Sequence, residues 1–142
     1  MAIIKRSQSI TQTAKRENLY ADFNTAFDIH PNKLDLVLST NEDAVKRSIR
    51  NLLLTNRGEK LFNPTYGSDV RGLLFENISP QTESAMREYI ELSIQNFEPR
   101  ANLLEVLVSA LPDDNTYAVT IVFSVINRTE PITLDLLLNR IR

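Results

Sequence analysis

With 142 residues, 42% of them apolar and 24% charged, the chain has ordinary globular composition and the length for one domain with a sizeable core. The absence of Cys excludes a disulfide framework, a thiolate nucleophile and a zinc ribbon, and a single His leaves a Ser-His-Asp triad one candidate base. A net charge of −2, from 16 cations against 18 acids, gives no overall reason to expect nucleic acid as a partner, and no apolar run approaches the roughly 18 residues that cross a bilayer.

Residues 1–19 read as a basic, flexible tail. Lys5, Arg6, Lys15 and Arg16 against Glu17 give the first 20 residues a local charge of +3 and leave −5 on the remainder. Ser7, Gln8, Ser9, Thr11, Gln12 and Thr13 offer little to bury, so the segment is either a solvated chain end or one ordered against an acidic neighbour. Met1 to Arg6 lacks the apolar region and cleavage site of a signal peptide, which points to a soluble, non-secreted chain.

Residues 20–142 read as one α+β domain. Asp22 to Ile29 has the aromatic and β-branched character of an extended segment ending at His30-Pro31, and Leu34, Leu36 and Leu38 alternate as a short second strand. Asn41 is a good N-cap, with Glu42 and Asp43 where the helix dipole favours negative charge. Val45, Ile49, Leu52 and Leu53 then form one apolar stripe, and Gly58 is the expected stop. In the loop that follows, Leu61, Phe62 and Tyr66 are the expected anchors to the core, and Ser68 can cap a short turn from Asp69 to Phe75.

Ser79-Pro80 is an N-cap followed by Pro at the first helical position, and the helix it opens carries Met86, Ile90, Ser93, Ile94 and Phe97 inward until Pro99 stops it. The period then changes to two. Leu104, Val106, Val108 and Ala110, a Pro112-Asp113-Asp114-Asn115 turn, and Tyr117, Val119, Ile121, Phe123 and Val125 predict a β-hairpin. After a break at 127–131, Ile132, Leu134, Leu136 and Leu138 alternate with polar residues as a third antiparallel strand. The fold class is therefore two main helices on a small, mostly antiparallel sheet, with core 20–127 and a separable C-terminal strand, 128–142, whose removal is expected to leave the rest folded.

The residue inventory offers little chemistry. His30 has no His, Cys or carboxylate partner at i+3 or i+4, so no metal is expected, and Gly58, Gly67 and Gly72 build no phosphate cradle, so no cofactor is expected. A glycosidase needs only two carboxylates, and Glu59, Asp69 and Glu76 lie near the loop aromatics Phe62, Tyr66 and Phe75. Against that reading, the chain has no Trp and no acid singled out by its surroundings, so catalysis is not expected. Glu98-Pro99-Arg100 says more. Pro99 fixes the corner between helix and hairpin, and Arg100 is either a planar fork presented to a partner or one half of an internal pair that pins the helix end.

Several runs together resemble a known family. Asn41 to Thr55, the Gly-Glu-Lys-x-Phe-x-Pro-x-Tyr-Gly-Ser segment from Gly58 to Ser68, Leu73-Leu74-Phe75-Glu76 and Glu98-Pro99-Arg100 are similar to the baseplate wedge, or sheath-initiator, family of contractile-tailed phages. That family includes the small baseplate subunit of type VI secretion systems, and its members have at times been labelled lysozyme-like. The resemblance covers roughly residues 20–142. It implies a non-enzymatic assembly protein of the virion tail baseplate, assembled in the host cytoplasm in a six-fold arrangement. Glu98, Pro99 and Arg100 would bind larger wedge subunits, and the strand of Ile132, Leu134, Leu136 and Leu138 would pair with the tail sheath protein, with tube or hub proteins as further neighbours. A peptidoglycan-degrading glycosidase and the type VI subunit are the alternatives.

Overall fold

The computed structural model describes residues 19–23, 27–32, 34–126 and 128–141, so the basic tail expected over 1–19 lies, but for Leu19, outside the described residues. The architecture is α+β. In chain order come β1 (Ala21–Phe23), β2 (Leu38–Thr40), α1 (Asn41–Leu54), α2 (Val70–Leu73), α3 (Pro80–Phe97), β3 (Ala101–Leu111), β4 (Thr116–Val125) and β5 (Pro131–Asn139). β1 and β2 form an antiparallel ribbon, and β3-β4-β5 form an antiparallel sheet with β4 in the middle.

The core lies between that sheet and the helices. α3 lies along β3 and α1 beside β5. Val45, Ile49 and Leu53 of α1 and Met86, Ile90 and Ile94 of α3 meet Val106 and Val108 of β3, Tyr117 to Val125 at alternate positions of β4, and Ile132, Leu136 and Leu138 of β5. Burial of each such side chain contributes about 1.5–3 kcal/mol, which is why the 3.6-residue and two-residue periods located the long elements.

Four local expectations are corrected. The second strand is not Leu34 to Leu38: β2 starts at Leu38, while Leu34 is exposed and Leu36 makes only an isolated bridge to Ile29. Asn41 is not the N-cap of α1. Thr40 takes that place without a side-chain bond, and the Asn41 amide oxygen accepts from the Leu19 N–H at 2.9 Å, tying the residues just before β1 to the helix start. Leu61 and Phe62 do not anchor the loop; both are exposed, and only Tyr66 turns inward, edge-on to Phe97 at 5.5 Å. Ser68 does not cap α2, since its hydroxyl donates to the Leu53 carbonyl at 2.8 Å and Asp69 is the residue preceding the helix. This loop returns so close to α1 that a Cβ at Gly67, where φ is +125°, would lie 2.7 Å from the Thr55 carbonyl oxygen.

Ser79 caps α3 as its sequence indicates, accepting the Thr82 N–H at 3.2 Å ahead of Pro80. The hairpin of β3 and β4 also forms as expected, with one difference of phase. A bulge between Leu103 and Glu105 lets Leu103 pack against the core and turns Leu104 out to solvent, so the two-residue alternation does not run through β3 unbroken.

Candidate functional site

Where α3 ends, its last turn holds the Glu98 amide, donated to the Ile94 carbonyl at 2.9 Å, and β3 begins as the Ala101 N–H bonds the Glu98 carbonyl at 3.1 Å. Pro99 is exposed on the outside of this corner. Glu98, by contrast, is only 3% exposed. Its two carboxylate oxygens accept from Arg100 Nε at 2.6 Å and Nη2 at 3.0 Å, a bidentate pair. The remaining Arg100 nitrogen, Nη1, reaches Asp22 Oδ2 in β1 at 3.2 Å, and the guanidinium lies 5.6 Å from the Tyr20 ring. Ser48 of α1 donates a further hydrogen bond to Glu98.

This arrangement has clear electrostatic causes. Burial alone pushes the Glu98 carboxyl up, but the hydrogen bonds from Arg100 and Ser48 and the Arg100 charge outweigh it and hold the carboxyl below its ordinary value. Arg100 is in turn raised, first by its bond to Glu98 and then by Asp22, against the opposing effect of burial. Nearby, the Tyr66 phenol is raised by burial and by the Glu98 charge. Glu98 is therefore turned inward as one half of an internal pair with Arg100, and one polar cluster joins the end of α3, β1 and α1. Sequence spacing could not find Asp22, Tyr20 and Ser48, because Asp22 and Arg100 are 78 positions apart.

The C-terminal strand has the opposite character. The register of β4 with β5 is unbroken from Thr116↔Asn139 to Ser124↔Pro131, and just beyond it the Arg140 N–H bonds the Asn115 carbonyl at 3.0 Å. Alternation then makes Ile132, Leu134, Leu136 and Leu138 the residues whose N–H and C=O groups meet β4. Their side chains face the core. Thr133, Asp135, Leu137 and Asn139 direct their backbone groups to the outer edge, where none meets a backbone partner among the described residues. Ile141 continues that parity, and the Leu74 carbonyl takes its N–H at 3.0 Å, closing the edge at its far end. Leu137 is 72% exposed on this strand.

Two of the three candidate carboxylates, Glu59 and Asp69, have partners of their own. Glu59 accepts from the Asn56 backbone N–H at 2.8 Å and side-chain Nδ2 at 3.0 Å, and Asp69 pairs with Arg57 at 3.2 Å. Glu76 is exposed after α2. His30 is a turn residue whose Nδ1 accepts from the Asn32 N–H at 3.2 Å, and the described residues contain no group of three or more His, Cys, Asp or Glu able to hold a metal.

Residues 39–130 match the family described as baseplate wedge protein gp25. The chain belongs to this family. Over 119 residues it is 34% identical to the baseplate wedge protein gp25 of Enterobacteria phage T4, covering 84% of this chain and 89% of that protein. Among solved structures it is similar to a putative tail lysozyme of Geobacter sulfurreducens, with a TM-score of 0.68 and 25% identity over 75% of this chain and 96% of that one. A chain of the anti-feeding prophage baseplate shares the fold at a TM-score of 0.59 and 21% identity, over 87% of each. The family span ends at residue 130, so it contains the Glu98–Arg100 corner and the Gly67 loop but stops just short of β5.

Proposed function

We propose that this chain is a non-catalytic wedge component of a contractile tail baseplate that docks on larger wedge subunits at the Glu98-Pro99-Arg100 corner and starts the sheath by strand pairing on β5. The open, unbroken outer edge of β5 carries the reading. A row of aligned N–H and C=O groups is a template for another strand, and an edge left uncovered in a monomer is an aggregation liability unless a partner takes it. Backbone pairing tolerates many side chains but is strict about register, which suits a subunit that sets the geometry of a repeating polymer.

At the corner, the proposed contact falls on exposed Pro99 and the outer side of Arg100, while buried Glu98 holds the shape. A six-fold ring of such subunits around the tube, placed in the virion after assembly in the host cytoplasm, would give the first sheath disc its starting edge and keep the sheath attached on contraction. Residues 1–19 are proposed as a separate tail, and 20–142 as the wedge domain.

The test is electron microscopy of tails assembled with Leu137→Pro, which removes an outward N–H and leaves the bonds to β4 in place. Baseplates without attached sheath are expected. Normal sheathed tails from that variant would refute the pairing role. Purified chain is also expected to leave peptidoglycan turbidity unchanged; turnover that disappears with Glu59→Gln or Asp69→Asn would establish the glycosidase instead.

A further inference from the structure

Beside the open edge of β5 stands a second wall. Asp43, Lys46, Arg47, Arg50 and Leu54 recur at three- or four-residue steps and share one side of α1. They line two adjoining clefts of about 420 and 510 Å³ that meet at Arg50, the first reaching Leu134 and the second Leu136 to Leu138. α1 and β5 therefore run in the same direction along one trough, with unpaired backbone groups on one side and three cations against one acid on the other. Among the described residues, neither Lys46 nor Arg50 has an ion pair or hydrogen-bond partner. Asp135, also at the trough, is held by the Thr120 hydroxyl at 2.8 Å on the opposite face of the sheet from the core.

We infer that the strand received by β5 is acidic on the side facing α1, in the pattern acid-x-acid-x-apolar along the direction of β5. This rests on the strand-pairing reading above. Charge and spacing carry it together. Lys46, Arg50 and Leu54 are four residues apart, about 6 Å of helix axis per step, and alternate residues of a strand are separated by about 6.6–6.8 Å. Two strand residues thus keep pace with four helix residues, placing successive same-side side chains opposite Lys46, Arg50 and Leu54. Side chains on the other face pass Asp135, which disfavours an acid there. The chain's own N-terminal segment has the wrong sign for this trough, with Lys5, Arg6, Lys15 and Arg16 against Glu17.

The probes are two capped peptides, Thr-Glu-Thr-Glu-Thr-Val-Thr and its counterpart with both Glu replaced by Gln, titrated into the full chain by NMR. At low ionic strength the acidic peptide is expected to bind about fivefold more tightly, the difference vanishing in Lys46→Ala/Arg50→Ala and in about 0.5 M salt. Both peptides should be weakened by Leu137→Pro. Equal binding of the two peptides, with both lost in Leu137→Pro, overturns the acidic requirement and leaves strand pairing standing. Acidic-peptide binding that Leu137→Pro does not change overturns the pairing on which the inference rests, and binding by neither peptide overturns both.

Discussion

The Glu98–Arg100 corner and the β5 edge are both proposed as contact points, yet they handle polar groups in opposite ways. At the corner every strong donor and acceptor is occupied from within: Glu98 by Arg100 and Ser48, Arg100 by Glu98 and Asp22. On β5 the outward groups of Thr133, Asp135, Leu137 and Asn139 meet no backbone partner among the described residues. The other edge of the same sheet, β3, is bulged at Leu103/Glu105 and receives the Glu83 carboxylate on the Ala110 N–H at 3.2 Å, so it is blunted in two ways that β5 is not. The contrast separates two kinds of damage: loss at the corner should destabilise the fold, and loss of the outward backbone groups of β5 alone should leave the chain folded and unable to assemble.

The largest effect tests where β5 belongs. Deleting 129–142 removes Ile132, Leu136 and Leu138 from the core, and at about 1.5–3 kcal/mol each this approaches the roughly 5–15 kcal/mol stability of a whole domain. The truncated chain is expected to lose its cooperative melting transition by circular dichroism, which reverses the expectation that the strand is separable. Next comes Arg100→Ala, which strands a buried carboxylate and should cost about 3–5 kcal/mol in urea unfolding; Arg100→Lys should recover only part of it, because an ammonium cannot reproduce the fork.

The same pair gives a pH signature. The folded-state pKa of Glu98 lies below its unfolded value, so its contribution is present in full above the unfolded value of about 4.3 and is lost as pH falls through the folded pKa. Urea midpoints measured from pH 6 down to pH 3 should fall more steeply in the native chain than in Glu98→Gln.

Smaller effects sharpen the edge. Leu136→Pro removes an N–H bonded to β4 and should destabilise the fold, whereas Leu137→Pro, one position along, should cost about 1 kcal/mol or less and abolish sheath attachment. Phe62→Ser should change stability by no more than about 0.5 kcal/mol, because its ring is fully exposed and covers none of the core. A larger loss there would mean that the loop tip is structural after all.

By itself the sequence determined the elements whose signal is local or periodic. Ser79-Pro80 opened α3, the stripe of Val45, Ile49, Leu52 and Leu53 located α1, and the alternations of β4 and β5 located the antiparallel sheet, because caps depend on neighbours and buried stripes on regular spacing. The Gly58–Ser68 and Glu98–Arg100 segments also carried the family. Tertiary structure decided the rest. Asn41 was drawn from capping to hold Leu19, Ser68 from capping to hold Leu53, and Glu98 was turned inward by partners in β1 and α1 that no spacing could pair with it. The phase of β3 changed at a bulge, and the side of β5 on which each N–H lies became defined only through its register with β4. Hydrogen-bond partners far apart in the chain are set by how the layers pack, and periodicity reports which face is buried without reporting what it is buried against.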